Sequence, residues 1–356
     1  MKIPEVLFVP PGTQAPELID AHEVWVDVGS RAEPPVFDHH SGETESTATL
    51  VQAHSHWLKG QAIERVFTHS APDLDALTAI WLIRDAKSQD VALDNSTIER
   101  IVGLVNRHDR GDEPSISPTR DWGVLFTEFL ADLNDEERVV AGIDALDRTY
   151  NQLAKGVPEK QLAEFVFPAT LILQADDSEK HFHDDWISAR RFRMSLSNGP
   201  NDLRAVHVTN PVCTLFPRLL RWQNRQGILR ADICIVSTAL DVEHFEVPLW
   251  RHIISVPRDK GLSLIGLGDS LEQAERGKED QLGGPLVPER KRLTPGKGRF
   301  GSGVASPWYD GRGHGYTIID TPCFSWQGRT VCGSVLTPEA VTEVLTTSNW
   351  RLTNQQ

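Results

Sequence analysis

Carboxylates and imidazoles gather in the first third of the chain at places where strands should end. Asp38-His39-His40 follows the apolar pair Val36-Phe37, and Val24-Trp25-Val26 runs into Asp27 and then Gly29. A third apolar stretch ends in His69-Ser70-Ala71-Pro72-Asp73-Leu74-Asp75, and a fourth group stands at Asn106-Arg107-His108-Asp109-Arg110-Gly111-Asp112. Mixed oxygen and imidazole donors drawn from several segments suit divalent cations. We expect one site for two such ions, supplied by Asp27, His39, His69, Asp73, Asp75 and Asp109. Paired divalent ions polarise a phosphoryl oxygen and make hydroxide available near neutral pH, so the expected chemistry is hydrolysis of a phosphate ester or anhydride.

The elements that must position these groups follow from local pattern. The spacing His-x-x-x-Asp-x-Asp predicts a strand that stops at His69, turns at Pro72 and enters a helix, with both acids set against the helix N-terminus. Apolar runs predict strands at 6–9, 24–28 and 63–68, and helical spacing predicts helices at 46–58, 75–85 and 97–106, with a short helix or turn at 16–22. The segment 75–85 is apolar almost all round, which marks a buried helix. This alternation is that of an α/β domain with a largely parallel sheet, in which ligands bind outside the carboxyl ends of the strands. Each pattern alone has a plain explanation: a polar turn for Asp38-His39-His40, a helix cap for Asp73, a strand-end acid for Asp27, a surface residue for His108. Four together, each at an element boundary, point to metal.

We expect three parts: a metal-binding catalytic domain over 1–120, a helical bridge over 121–200, and a smaller C-terminal α/β substrate domain over 201–356. The bridge rests on helical periodicity at 122–133 and 136–151 and on a more polar stretch at 161–193, helical in its later part. Beyond it, strands are expected at 204–209, 231–238, 252–257, 316–320 and 330–336, a helix near 270–276, and a closing helix at 338–346 capped by Thr337. His181, His183 and His207 read as unremarkable surface or packed residues.

A net charge of -14 argues against a protein that coats nucleic acid through its overall charge. The four cysteines are scattered, which excludes a zinc ribbon and a dense disulfide framework and favours a reduced, cytoplasmic setting. No apolar run reaches the roughly 18 residues of a membrane span, and the N-terminal run lacks the features of a signal peptide.

Taken together, the motifs resemble those of the DHH phosphoesterase superfamily, which includes RecJ-type exonucleases, family II pyrophosphatases, nanoRNases and cyclic-dinucleotide phosphodiesterases. The eponymous motif stands as Asp38-His39-His40, another as His69-Ser70-Ala71-Pro72-Asp73-Leu74-Asp75-Ala76, a third as Val26-Asp27, and a fourth as Asp109 or Asp112. The resemblance covers about residues 1–115. In the superfamily the His-x-x-x-Asp-x-Asp motif comes first, whereas here it follows Asp38-His39-His40, as in a circular permutation. The resemblance implies two manganese ions, replaceable by Mg2+ or Co2+. It implies that Asp27 bridges them, that His69 and Asp73 complete one, and that His39, Asp75 and Asp109 complete the other. It also implies that His40 faces the phosphate and that Asp38 orients a histidine.

A second informative stretch, 289–316, concentrates Arg290, Lys291, Arg292, Lys297, Arg299 and Arg312 among glycines and the aromatics Phe300, Trp308, Tyr309 and Tyr316. Glycines let backbone amides approach phosphate, arginines bind it bidentately, and rings stack on bases. We expect Lys297, Arg299, Gly301, Gly303, Arg312 and His314 to hold a phosphate-bearing nucleotide or short single-stranded nucleic acid. A plain surface loop is the simpler account of the same stretch. The expected function is a manganese-dependent phosphoesterase of phosphodiesterase or nuclease type. The alternatives are a non-catalytic nucleotide-sensing module on the same fold and an inorganic pyrophosphatase. A membrane is not an expected partner, and a homodimer is allowed.

Overall fold

The computed structural model describes residues 3–9, 13–41, 46–86, 93–109, 116–194, 202–242, 245, 247–256, 264, 267–284, 308–312, 317–326 and 329–347. The chain divides into two units, Met1–Asp177 and Ser178–Gln356, and is α/β in character. Among the described residues no helix is long and apolar enough to cross a membrane.

The first unit holds strands β1 (Glu5–Val9), β2 (Glu23–Val26) and β3 (Val36–Phe37), helices α1 (Thr47–Ala53) and α2 (Ser55–Leu58), then β4 (Arg65–His69), α3 (Leu74–Ala86) and α4 (Asn95–Asp109). Helices α5 (Trp122–Leu130), α6 (Asp135–Ala154), α7 (Leu162–Val166) and the first half of α8 (Ala169–Ser188) complete it. Its sheet has the order β1-β4-β2-β3 and every pairing is parallel. Parallel strands are covered on their faces, and β2 is accordingly apolar and buried from Val24 to Val26. Trp25 stacks on Phe67 of the neighbouring strand with ring centroids 4.6 Å apart. Helix α3 is buried from Leu74 to Arg84, as its all-round apolar sequence requires. Its one buried cation, Arg84, is neutralised by Asp147 of α6, which also accepts the Trp81 indole N–H at 2.8 Å.

Several elements differ from the sequence expectation. The helix expected over 46–58 breaks at His54, where α1 ends and α2 begins. Residues 16–22, expected as a short helix or turn, form bends and a turn. The helices beyond residue 121 are not a separate bridge: α5 and α6 bury Leu125, Phe126, Ile143 and Leu146 and pack on α3, so they belong to the first unit.

The second unit starts inside α8 and is as long as the first rather than smaller. It contains β5 (Arg190–Met194), β6 (Leu203–Thr209), α9 (Phe216–Arg225), β7 (Ile233–Leu240), β8 (Leu249–Val256), α10 (Leu267–Gln281), β9 (Tyr309–Arg312), β10 (Thr317–Asp320), β11 (Cys323–Trp326), β12 (Arg329–Cys332) and α11 (Pro338–Thr347). Six strands form a mixed sheet in the order β5-β6-β7-β8-β10-β9, with only β6 and β7 parallel. Residues 190–194, expected to end a helix, form the edge strand β5, and their arginines occupy the exposed positions that edge strands favour. The main core joins Leu267 and Leu271 of α10 and Val341 and Leu345 of α11 to the sheet residues Ile233, Ile235 and Ile254.

Of the surface or packed alternatives, His207 takes the packed one. Its Nε2 lies 2.6 Å from Ser237 Oγ, which lies 2.7 Å from His252 Nδ1, and His252 Nε2 reaches the Leu336 carbonyl at 2.8 Å. All three side chains are buried. Burial, with Arg190 nearby, lowers His207 to about 4. Burial lowers His252 to about 4 as well.

Candidate metal centre

The strand register assembles the centre. Trp25 pairs with Val36 and with Phe67, so Asp27, Asp38 and His69 lie just past those pairs on one carboxyl edge of the sheet. Asp27 takes a left-handed backbone (φ 58°), a conformation that Asp tolerates better than branched residues, and its N–H still bonds the Phe37 carbonyl at 2.9 Å. Gly29 follows at φ 111°, and a Cβ there would meet Val36 Cγ1 at 2.6 Å. His39 and His40 lie in a single 3-10 turn beyond β3. Asp73 caps α3: its Oδ1 accepts from the amides of Asp75 at 3.0 Å and Ala76 at 3.1 Å. Asp109 is the last residue of α4, which runs three residues past its expected end.

Two sets of ligand atoms result, each within 4.8 Å of one another: Asp27, His69 and Asp73 in one, and His39, Asp75 and Asp109 in the other. Asp27 lies between them. Its Oδ2 is 3.2 Å from His69 Nε2, and its Oδ1 is 3.3 Å from His39 Nε2. His39 also stands 3.7 Å from Asp75 Oδ2 and, through Nδ1, 3.7 Å from Asp109 Oδ2. A third set, overlapping these, joins Asp27 and His39 with His40. All six residues expected as ligands are therefore brought together, Asp109 beside His39 and Asp75. Asp112 lies outside the described residues.

Neighbours orient the ligands. His69 Nδ1 is 2.8 Å from the Ser70 carbonyl, which can only accept, so Nδ1 carries the proton and Nε2 is left for a cation. Asp38 Oδ1 lies 2.9 Å from His40 Nδ1, and its Oδ2 accepts the Ser30 amide at 2.6 Å. Both oxygens of Asp75 are held by the start of α1, Oδ2 by the Thr47 amide at 2.7 Å and Oδ1 by the Ala48 amide at 2.8 Å. The Thr47 hydroxyl donates to Asp27 Oδ1 at 3.0 Å.

The electrostatics are those of a cation site. Every ion pair described there is between Asp and His. Burial opposes charge on His39, but hydrogen bonding to Asp27 and the nearby carboxylates raise it to about 11. His69 rises to about 9, its burial likewise outweighed by Asp27. Burial and the neighbouring Asp27 carboxylate raise Asp75 to about 7, and burial with Asp75 alongside raises Asp109 well above the carboxylate range. Asp27 goes the other way: despite its burial, the bonds from His39 and His69 hold it well below that range. Crowded acids and proton-holding histidines are what a concentration of negative potential produces, and the same potential attracts a divalent cation.

The sequence matches no protein-family model and no curated protein.

Lys297, Arg299, Gly301, Gly303 and His314 lie outside the described residues, and Arg312 is described only as the backbone end of β9. Trp308, expected among the base-stacking aromatics, is a core residue instead: it is 2% exposed and stacks on His252 with centroids 5.9 Å apart. Sequence reasoning missed Ser30, Thr47 and Ala48 as partners of the acids. The Ser46-Thr47 pair at the start of a helical pattern was the one available signal.

Proposed function

We propose that the protein is a manganese-dependent phosphoesterase of DHH type, hydrolysing a phosphodiester in a nucleotide or short oligonucleotide. The observation that carries this reading is the placement of Asp27, whose two oxygens address the two different ligand sets. A carboxylate so placed is suited to bridge two ions, and the mixed carboxylate and imidazole donors suit manganese better than calcium. When bound, two such ions polarise a phosphoryl oxygen and generate hydroxide from water near neutral pH.

The chain's own residues have separate tasks. Asp27, His69 and Asp73 would hold one ion, and His39, Asp75 and Asp109, with Asp27, the other. His40 has a side chain that is 46% exposed and whose Nδ1 is engaged by Asp38, and the family resemblance gives it the role of facing the phosphate. Asp38 fixes that ring through the tautomer it selects.

The test is hydrolysis with manganese on bis-p-nitrophenyl phosphate, pyrophosphate, dinucleotides and short single-stranded DNA and RNA. Activity on dinucleotides or oligomers is expected, lost in a His39→Ala, Asp75→Asn double variant. Turnover unchanged in that variant would overturn the reading, and preference for pyrophosphate would replace the substrate class.

A further inference from the structure

We infer that Thr47 is a positioning residue that sets the two carboxylates Asp27 and Asp75 at the spacing a pair of ions requires. The inference rests on the metal reading above and deepens it.

Thr47 opens α1, yet its hydroxyl does not cap that helix. The cap is Ser46, whose Oγ accepts the Thr49 amide at 3.3 Å. The Thr47 hydroxyl instead donates to Asp27 Oδ1, twenty residues earlier, at 3.0 Å. The Thr47 amide, one of the N–H groups that the first turn of a helix leaves without an internal partner, donates to Asp75 Oδ2 at 2.7 Å. One residue thus binds the carboxylate addressed by both ligand sets and a carboxylate of the second set, the latter through its backbone. Ala48 completes the hold by donating its amide to the other oxygen of Asp75 at 2.8 Å.

Thr47 is suited to this by type as well as place. It is fully buried, and its branched Cβ limits χ1, so the hydroxyl direction is fixed by packing. Asp27 Oδ1 is also the oxygen 3.3 Å from His39 Nε2, and the hydroxyl therefore sets how that oxygen meets the second ligand set. The start of α1 is itself fixed: the Ser46 amide donates to Asn106 Oδ1 at 3.3 Å, on the helix that ends in Asp109. Removing the hydroxyl while keeping the shape takes away the described hydroxyl contact that fixes Asp27 Oδ1 and leaves that oxygen to its histidine neighbours. Changes of this kind beside a metal ligand typically weaken metal binding about 10- to 100-fold.

The test is an EPR-monitored Mn2+ titration of the full chain as wild type, Thr47→Val and Thr47→Ser. Two ions with a spin-coupled signal are expected in the wild type. Thr47→Val should bind the second ion about 10- to 100-fold more weakly and lose the coupled signal, while Thr47→Ser restores both. Thr47→Val with wild-type affinities and coupling overturns the inference and leaves the metal reading standing. A wild type that takes up fewer than two ions overturns both. Should Thr47→Val fail to fold, Thr47→Ala is judged by the same two readouts.

Discussion

Asp38 grips His40 twice with a single oxygen: Oδ1 accepts the His40 amide at 3.0 Å and lies 2.9 Å from the ring Nδ1. The ring and its own backbone are thereby locked to one buried carboxylate. Asp38→Asn keeps the size and loses the charge that selects the tautomer. We expect turnover to fall about 10- to 100-fold with two Mn2+ ions still bound. Loss of an ion in this variant would show that Asp38 supports the metals rather than His40.

Ligands drawn from positions 27 to 109 would be clamped together by two ions, so binding must favour the folded chain. At 100-fold excess over Kd, one ion adds about 2.7 kcal/mol. For a unit of this size each kcal/mol raises the melting midpoint by about 2–4 °C. Saturating Mn2+ should therefore raise the midpoint by at least about 5 °C, reversibly with EDTA. The rise should vanish in Asp27→Asn. A midpoint indifferent to Mn2+ in the wild type would contradict the metal centre.

Gly29 occupies a left-handed conformation that L side chains rarely adopt. A Cβ added at this position would lie 2.6 Å from Val36 Cγ1 and 3.0 Å from Ala15 Cβ. Gly29→Ala therefore meets both a conformational and a steric penalty. We expect a loss of about 2–4 kcal/mol in urea denaturation. A loss under about 1 kcal/mol would mean that the Asp27–Gly29 turn yields without cost.

The buried histidines of the second unit should make the chain acid-sensitive. His207 and His252 are lowered to about 4 by burial, below the unfolded value of about 6.5. The unfolded chain therefore binds more protons between those values. Their contribution to stability is complete above about pH 6.5 and is lost as pH falls towards 4, by up to about 3 kcal/mol for each histidine. His207→Gln should flatten the pH dependence of the urea midpoint over this range. An unchanged slope would sink the assignment.

The candidate cluster was legible because most of its residues stand at the boundary of an element. Asp27 closes an apolar run, Asp38 and His39 follow another, and Asp73 has the form of a helix cap. Such local signs survive in a sequence. What was not legible depends on contacts between distant segments. The Ser46-Thr47 pair marks a helix start, but it does not say that the Thr47 hydroxyl will meet Asp27 and its amide Asp75. The arginines of 190–194 hid an edge strand, because exposed positions of a strand and a polar helix carry the same residues. Trp308 looked like a binding aromatic among glycines, and only the packing of β8 against it shows a core residue. The helices after 121 carried the right periodicity, but periodicity does not say which surface a helix will cover.

The all-parallel sheet has a consequence for how such a centre could arise. Spatial order β1-β4-β2-β3 departs from order along the chain by setting β4 between β1 and β2, and the strand ends share one edge whichever is synthesised first. The edge treats its side chains as a set, not a series. A gene rearrangement that moved the segment with Asp27 and His39 to the other side of the segment with His69 and Asp75 would alter the crossovers and leave the same groups facing one another. Chemistry written on a strand edge is thus heritable through re-threading, and the linear order of its motifs is free to drift.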